Sequence, residues 1–213
     1  MKNPKLYLIP TPISEKDPHL VLNAETINTI SKIRFFLVEN LRTARRFLKS
    51  IGYPHSIDST WFFEISEHNQ HNTLLEWIQP MIDGNDMGLL SEAGVPCVAD
   101  PGYTVVNLAH QKNFDVVPLV GPSSILMALM ASGLSGQNFK FHGYLPVKPD
   151  ELKRKIKQIE QETIKGETQI FIETPYRNDK MFDFLISNCK SELMLCLASD
   201  INGNEEFIKT KSI

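Results

Sequence analysis

Cysteine is scarce in this 213-residue chain: Cys97, Cys189 and Cys196 are odd in number and form no Cys-x-x-Cys pair. That excludes a disulfide scaffold and points to a reducing, cytoplasmic setting. Long apolar runs are missing too. The best candidate, around Ile125 to Leu134, is interrupted by Ser132 and Gly133 and falls short of the roughly 18 to 20 residues that span a bilayer. Pro10 and Pro12 cut off the apolar stretch Leu6 to Ile9, which therefore reads as a strand start and not as a signal peptide. Nor is there an excess of positive charge. Lys and Arg number 22 against 25 Asp and Glu, leaving a formal charge of −3. This argues against a strongly electrostatic nucleic-acid binder, although a local basic patch stays open. Short-period repeats and low-complexity segments are absent, which removes solenoids and tails. What is present is a globular composition, 42% hydrophobic, sufficient for one large domain or two small ones.

Short apolar runs alternate with helical patterns almost throughout, which predicts an α/β fold with a mostly parallel sheet. Strands are expected at Leu6 to Ile9, Phe35 to Glu39, Trp61 to Ile65, Met87 to Leu90 and Phe114 to Leu119. Between them lie helical patterns at Ala24 to Lys32, Arg42 to Ile51 and Asn72 to Ile82. The last of these places Leu74, Leu75, Ile78 and Ile82 on one face. Gly52 and Gly84 are expected to close their helices. The second half reads as a helix from Ser123 to Ala131, a strand at Phe139 to Leu145, and a helix from Asp150 to Lys165 capped by Asp150. Further elements follow at Gln169 to Glu173, Asp179 to Ser187, Leu193 to Ala198 and Phe207 to Thr210. The boundary is expected near Pro118 to Gly121, giving domains 1–118 and 119–213.

Four strand ends run into loops too constrained for plain connection, and ligands in open α/β sheets bind outside the carboxyl ends of strands. Ile9-Pro10-Thr11-Pro12 is a rigid turn with bare carbonyls, readable also as a turn and nothing more. In Leu90-Ser91-Glu92-Ala93-Gly94-Val95-Pro96, small residues beside a carboxylate suggest a ligand floor. Asp100-Pro101-Gly102 then reads as a helix start with Asp100 as its cap, or as a catalytic position. Val120-Gly121-Pro122-Ser123-Ser124 leads into a helix whose free N–H groups and hydroxyls could hold a polar ligand group or form a cap. In Glu173-Thr174-Pro175-Tyr176-Arg177 a carboxylate and a guanidinium stand four apart, as an ion pair or as working groups.

The P-loop, an intact Gly-x-Gly-x-x-Gly, the Gly-x-Ser-x-Gly elbow and His-Glu-x-x-His are all missing. His68 and His71 lie three apart but lack a third ligand nearby, so no metal site is expected.

In order and spacing these loops resemble the tetrapyrrole (corrin/porphyrin) methylase superfamily of S-adenosylmethionine-dependent methyltransferases. More narrowly, they resemble the branch of the ribosomal RNA small-subunit methyltransferase I enzymes, which methylate a cytidine 2′-hydroxyl. The stretches that carry the likeness are LYLIPTPI at 6–13, ENLR at 39–42, EHNQ at 67–70, GLLSEAGVPCVADPGYTVV at 88–106, VVPLVGPSSILMALMASGL at 116–134, FHGYLP at 141–146 and IFIETPYR at 170–177. The resemblance implies two α/β domains with a cofactor cleft between them, in a homodimer. It implies that Pro10, Thr11, Glu92, Ala93, Gly94, Val95, Ser123 and Ser124 bind S-adenosylmethionine, approached from the second domain by Ile172, Glu173 and Ala198. Methyl transfer needs alignment, exclusion of water and an activated nucleophile. For a ribose hydroxyl, Glu39, Arg42, Glu173 and Arg177 are the candidates to activate it.

The chain also departs from that branch. Ser14 and Glu15 stand where Gly-Asn is usual, Asn40 and Leu41 replace aspartate and threonine, and Glu92 replaces aspartate. The usual Ala-Arg-Glu-Leu-Thr-Lys block is here Ala198-Ser199-Asp200-Ile201-Asn202-Gly203, without its two cations. Arg42, Arg45 and Arg46, and Lys153, Arg154, Lys155 and Lys157, offer a partial RNA surface or are simply solvated helix faces. The chain stops at Ile213 where the branch usually continues into a further helix and strand, so truncation and a reduced second domain are both open. Three acceptor readings follow: ribosomal RNA or the small ribosomal subunit, a tetrapyrrole or other small molecule, and cofactor binding without catalysis.

Overall fold

The apolar strands of the first half form one sheet, and residues on alternate positions of each strand go to opposite faces. The structure is a computed structural model that describes residues 3–65 and 70–213, with side chains for all of these except 70–73. It divides into two compact units, Met1–Ser123 and Ser124–Ile213.

In the first unit, β1 (Lys5–Ile9), β2 (Phe35–Val38), β3 (Trp61–Glu64), β4 (Met87–Leu90) and β5 (Asp115–Pro118) are all parallel, in the order β3-β2-β4-β1-β5. Leu6 lies opposite Met87 and Phe35 opposite Met87 on the other side, which sets the register around the central β4. Among the described residues the connecting α-helices are α1 (Pro18–Val21), α2 (Ala24–Ile30), α3 (Leu41–Ser50), α4 (Gln70–Trp77), α5 (Gln79–Ile82) and α6 (Tyr103–Gln111).

Two apolar layers flank the sheet. Ile9, Phe36, Val38 and Leu90 turn to one layer with Ile30, Phe47 and Leu48 of α2 and α3. Leu6, Leu37, Met87 and Leu89 turn to the other with Trp77, Ile78, Met81 and Val105 of α4 to α6. A strand covered on both faces needs apolar residues at every position, which is why β4 is buried from end to end. Phe36 and Leu37 are completely enclosed, each contributing roughly 1.5–3 kcal/mol through burial.

The helix expected over 72–82 is two helices. Pro80 has no N–H to continue the helical ladder, so α4 ends at Trp77 and α5 restarts at Gln79 with the proline in its first turn. The buried face moves with the break: Trp77, Ile78 and Met81 are inside, while Leu75 and Ile82 are exposed. Gly52, just beyond α3, has φ +69°, the left-handed turn that its expected closing role requires.

The second unit comprises α7 (Ser124–Ser132), β6 (Phe139–Tyr144), α8 (Pro149–Ile164), β7 (Thr168–Ile172), α9 (Asn178–Asn188), β8 (Met194–Ser199) and β9 (Phe207–Ser212). β6 and β7 pair in parallel, and β8 and β9 form an antiparallel hairpin. Leu152, Ile156 and Ile159 of α8 recur at helical spacing and pack with Met181 and Leu185 of α9 and with Leu145. Asp150 is not the cap of α8. Pro149 already occupies the first turn, with Lys148 as the capping position. Asp150 instead lies in that turn, where its charge suits the positive end of the helix dipole. Among the described residues, no helix is long and apolar enough to cross a membrane.

Candidate active site

Parallel strands deliver their carboxyl ends to one edge of the sheet, and β1, β2 and β4 are neighbours in the middle of it. The loops that follow these strands meet there. Thr11 N–H donates to the Gly94 carbonyl at 2.9 Å and Gly94 N–H to the Thr11 carbonyl at 3.1 Å, a single antiparallel bridge between the first and second loops. Gly94 has φ +77°, and a Cβ there would stand 3.1 Å from Ile13 Cγ2 and 3.3 Å from the Pro122 carbonyl oxygen. Glycine is therefore demanded by both conformation and space. Thr11 is only 4% exposed, and its hydroxyl is buried with no hydrogen-bond partner. A stranded hydroxyl costs about 1–3 kcal/mol, a cost that a ligand with a polar atom at this point would relieve.

Asp100 does not cap a helix. α6 starts at Tyr103 behind Gly102, whose φ of +117° no side-chain cap accompanies. The Asp100 carboxylate turns back instead and accepts a hydrogen bond from the buried Ser91 hydroxyl at 2.9 Å. The intervening backbone is strained, with Cys97 at φ +66° and Ala99 at φ +64°. Non-glycine residues adopt this region at a cost of about 1 kcal/mol or more each. The strain is the cost of bringing Asp100 to the strand end.

Three carboxylates thus converge: Glu39 after β2, Glu92 after β4, and Asp100. Burial first, then the charges of Asp100 and Glu92, raise the Glu39 pKa to about 7, although the Glu92 backbone N–H opposes the rise by bonding to its carboxylate. Asp100 is raised by burial and by Glu92, and its bond from Ser91 works against this. The Cys97 thiol, pressed by burial and by the Asp100 and Glu39 charges, is pushed up to about 11. Glu92 is exposed and receives the hydroxyl of Thr43 from α3. Asn40, the substituted residue before α3, still caps it, accepting from the N–H groups of Arg42 at 2.9 Å and Thr43 at 3.2 Å.

Beside this edge lies a cavity of about 630 Å³ with Thr11, Pro12, Thr43, Arg46, Phe47 and Glu92 in its wall. Ligand pockets commonly have this size. Of the expected cofactor residues, Thr11 and Glu92 line it. Glu39 lies behind Glu92, held by that residue's backbone. Thr43 was not expected here, whereas Ser91 lies in the stretch read as a ligand floor and Arg46 on the basic helix face. Arg42 points away to an exposed groove on α3.

In the second unit, Glu173 follows β7, and its Oε2 lies 3.1 Å from Arg177 Nη2, with the two side chains 8% and 19% exposed. Glu173 Oε1 accepts from the Thr174 N–H at 2.8 Å, and Arg177 also donates to the Pro146 carbonyl at 3.4 Å. The two side chains form an ion pair, and Glu173 Oε2 makes no hydrogen bond. Ile172 ends β7, Ala198 pairs with Ile208 in the hairpin, and Ser124 opens α7 directly after Ser123. The Ala198 to Gly203 block ends β8 and enters the hairpin's connection at 200–206, with Asp200 at φ +45° and Asn202 at φ +62°. His68 lies outside the described residues, and so does the side chain of His71. Among the described residues, no group of three or more His, Cys, Asp or Glu converges to hold a metal.

The arrangement sets carbonyl-rich and glycine loops at the ends of a five-stranded parallel sheet, followed by a second α/β unit. The solved structure of cobalt precorrin-4 methyltransferase, a cobalamin biosynthetic enzyme, superposes with a TM-score of 0.61 over 98% of this chain and 85% of its own, at 13% identity. That likeness identifies the tetrapyrrole methylase fold. No family model matches the chain. Sequence relatives narrow the class. A ribosomal RNA small subunit methyltransferase I of Vibrio cholerae is 30% identical over 206 residues, covering 97% of this chain and 68% of the relative. One of Streptococcus pyogenes is 33% identical over 172 residues, covering 81% of this chain and 56% of the relative. The chain belongs to the ribosomal RNA small-subunit methyltransferase I family, and it spans between half and about two thirds of those two relatives' lengths.

Proposed function

We propose that the protein transfers a methyl group from S-adenosylmethionine to the 2′-hydroxyl of a cytidine in small-subunit ribosomal RNA. The observation that carries the chemistry is Glu39, a carboxyl raised to about 7 next to the wall of a ligand-sized cavity. A ribose hydroxyl is a weak acid and needs a base that works near neutral pH, and Glu39 has that character.

The residues present suit the cofactor. The stranded Thr11 hydroxyl calls for a polar partner, and the bridge with Gly94 holds that loop rigid. On this reading Pro10, Thr11, Glu92, Ala93, Gly94, Val95 and Ser123 of the first unit hold it. When bound, it supplies an electrophilic methyl on a sulfonium that leaves as a neutral thioether. Glu39 in its ionised form accepts the proton given up by the ribose hydroxyl as that oxygen bonds to the methyl carbon. Ser91 and Asp100 keep the floor in place beneath Glu92. The same reading carries with it a homodimer acting in the cytoplasm, for which sedimentation of the purified chain tests the dimer.

Incubation with radiolabelled S-adenosylmethionine and small ribosomal subunits lacking the modification is expected to label the RNA. Glu39→Gln should cut the rate by about 10²- to 10⁴-fold at pH 7. Binding of S-adenosylmethionine without label in the RNA would overturn the assignment. A small-molecule acceptor is the second reading, favoured by the acidic balance and by a hairpin connection at 200–206 without cations. It requires transfer that salt leaves nearly unchanged, whereas an RNA enzyme weakens steeply.

A further inference from the structure

Helix α3 reads LRTARRFLKS: four cations and no acid. Arg42, Arg45, Arg46 and Lys49 stand at offsets of three, four and seven, the spacing of one helix face. All four are exposed, while Ala44, Phe47 and Leu48 bury the opposite face. Among the described residues none of the four is in an ion pair. With Leu41 they line a groove of about 440 Å³. Arg45 is held over the Phe62 ring, its guanidinium carbon 5.6 Å from the centroid, so part of its entropy is already lost before any ligand arrives.

Helix α8 provides the contrast. Its Lys153, Arg154, Lys155 and Lys157 share the helix with Asp150, Glu151, Glu160 and Glu162, and its charges cancel. In a chain of net −3, four unpaired cations within about 10 Å of helix repel each other. Such a row gains from a polyanion laid along it. Guanidinium groups match phosphate in geometry as well as charge.

We propose that this face of α3 is the track for the sugar-phosphate backbone of the RNA substrate. The inference rests on the RNA reading above and adds where the strand flanking the reacting nucleotide is gripped. Arg46 belongs to both the groove and the wall of the 630 Å³ cavity, so a strand held on α3 leads into the cavity that Glu92 also lines.

The test compares two double variants of equal charge change, Arg45→Gln/Lys49→Gln on α3 and Lys153→Gln/Lys157→Gln on α8. Binding of a short fluorescent single-stranded RNA is measured across a salt series. For single strands each phosphate contact contributes about 0.7 to the slope of log K against log salt. The α3 variant should therefore lose about 1.4 of slope and bind about 10- to 30-fold more weakly at 0.1 M salt. The α8 variant should keep the wild-type slope. S-adenosylmethionine affinity should be unchanged in both, and the thermal midpoint should fall by no more than a few degrees in the α3 variant, which loses the Arg45–Phe62 contact. An unchanged slope in the α3 variant, or equal losses in the two, overturns the track while RNA methylation by the wild type leaves the acceptor reading standing. A wild-type protein that neither binds nor methylates RNA overturns both.

Discussion

Gly121 backs onto the ring of Pro10: a Cβ at Gly121 would stand 2.2 Å from Pro10 Cγ and 2.3 Å from Pro10 Cβ. The loop after β5 thereby wedges the loop after β1 in place, and the Thr26 hydroxyl adds a hydrogen bond to the Val120 carbonyl at 3.1 Å. A proline ring cannot swing aside as a long side chain would. Gly121→Ala should therefore destabilise the first unit by about 1–3 kcal/mol and weaken S-adenosylmethionine binding by displacing Thr11. Gly136→Ala is the control, because the nearest atom to its Cβ is Leu129 Cδ2 at an ordinary 3.9 Å. Thermal melts and calorimetry would check both; equal melting points for the two variants would contradict the wedge.

Glu39 makes stability depend on pH. Its pKa rises from 4.5 to about 7 on folding, so between those values the folded state holds a proton that the unfolded chain has released. Stability is then greatest below about pH 4.5 for this group and is lost as pH rises towards 7. Because Glu39 is half-buried, solvent screening reduces the effect to about 1–2 kcal/mol. Glu39→Gln should melt higher than wild type at pH 8, by a few degrees, and show little gain at pH 5. The catalytic role proposed for Glu39 requires in addition that kcat/KM climb with pH up to about 7 and then level off.

Glu173 and Arg177 are a largely buried pair, and such pairs are costly to break by halves. Glu173→Gln alone should cost about 3 kcal/mol by leaving Arg177 buried without its counter-charge. The double change Glu173→Gln/Arg177→Met should recover part of that loss. Denaturant titration of the two variants decides this, and a double variant no more stable than the single one would show that the pair's charge is not what holds the loop.

Cys97 should be slow to react. With its thiol pushed up to about 11, only about one molecule in a thousand carries a thiolate there at pH 8. Asp100→Asn and Glu39→Gln each remove a neighbouring negative charge, so both should speed alkylation of Cys97 by iodoacetamide, followed by peptide mass spectrometry. Rates equal to wild type would mean that burial alone governs the thiol.

The same contrast runs through the molecule. Strands β1 to β5 and the helix stop at Gly52 are local matters, set by short apolar runs and by backbone angles, and the sequence by itself determines them. The break at Pro80 was equally local in origin, yet the face it buried depended on which side of the sheet offered space. Asp100 shows the limit most clearly. Next to Pro101 it has every attribute of a helix cap, and only the approach of Ser91 across the strand end gives its carboxylate another partner. Likewise Glu173 and Arg177, four apart in sequence, are brought into one largely buried contact only by the tertiary packing. The order β3-β2-β4-β1-β5 is what gathers Glu39, Glu92 and Asp100 from distant parts of the chain. The near-neutral titration of Glu39 follows from that gathering, because desolvation and charge repulsion act through space and leave no mark on the sequence between them.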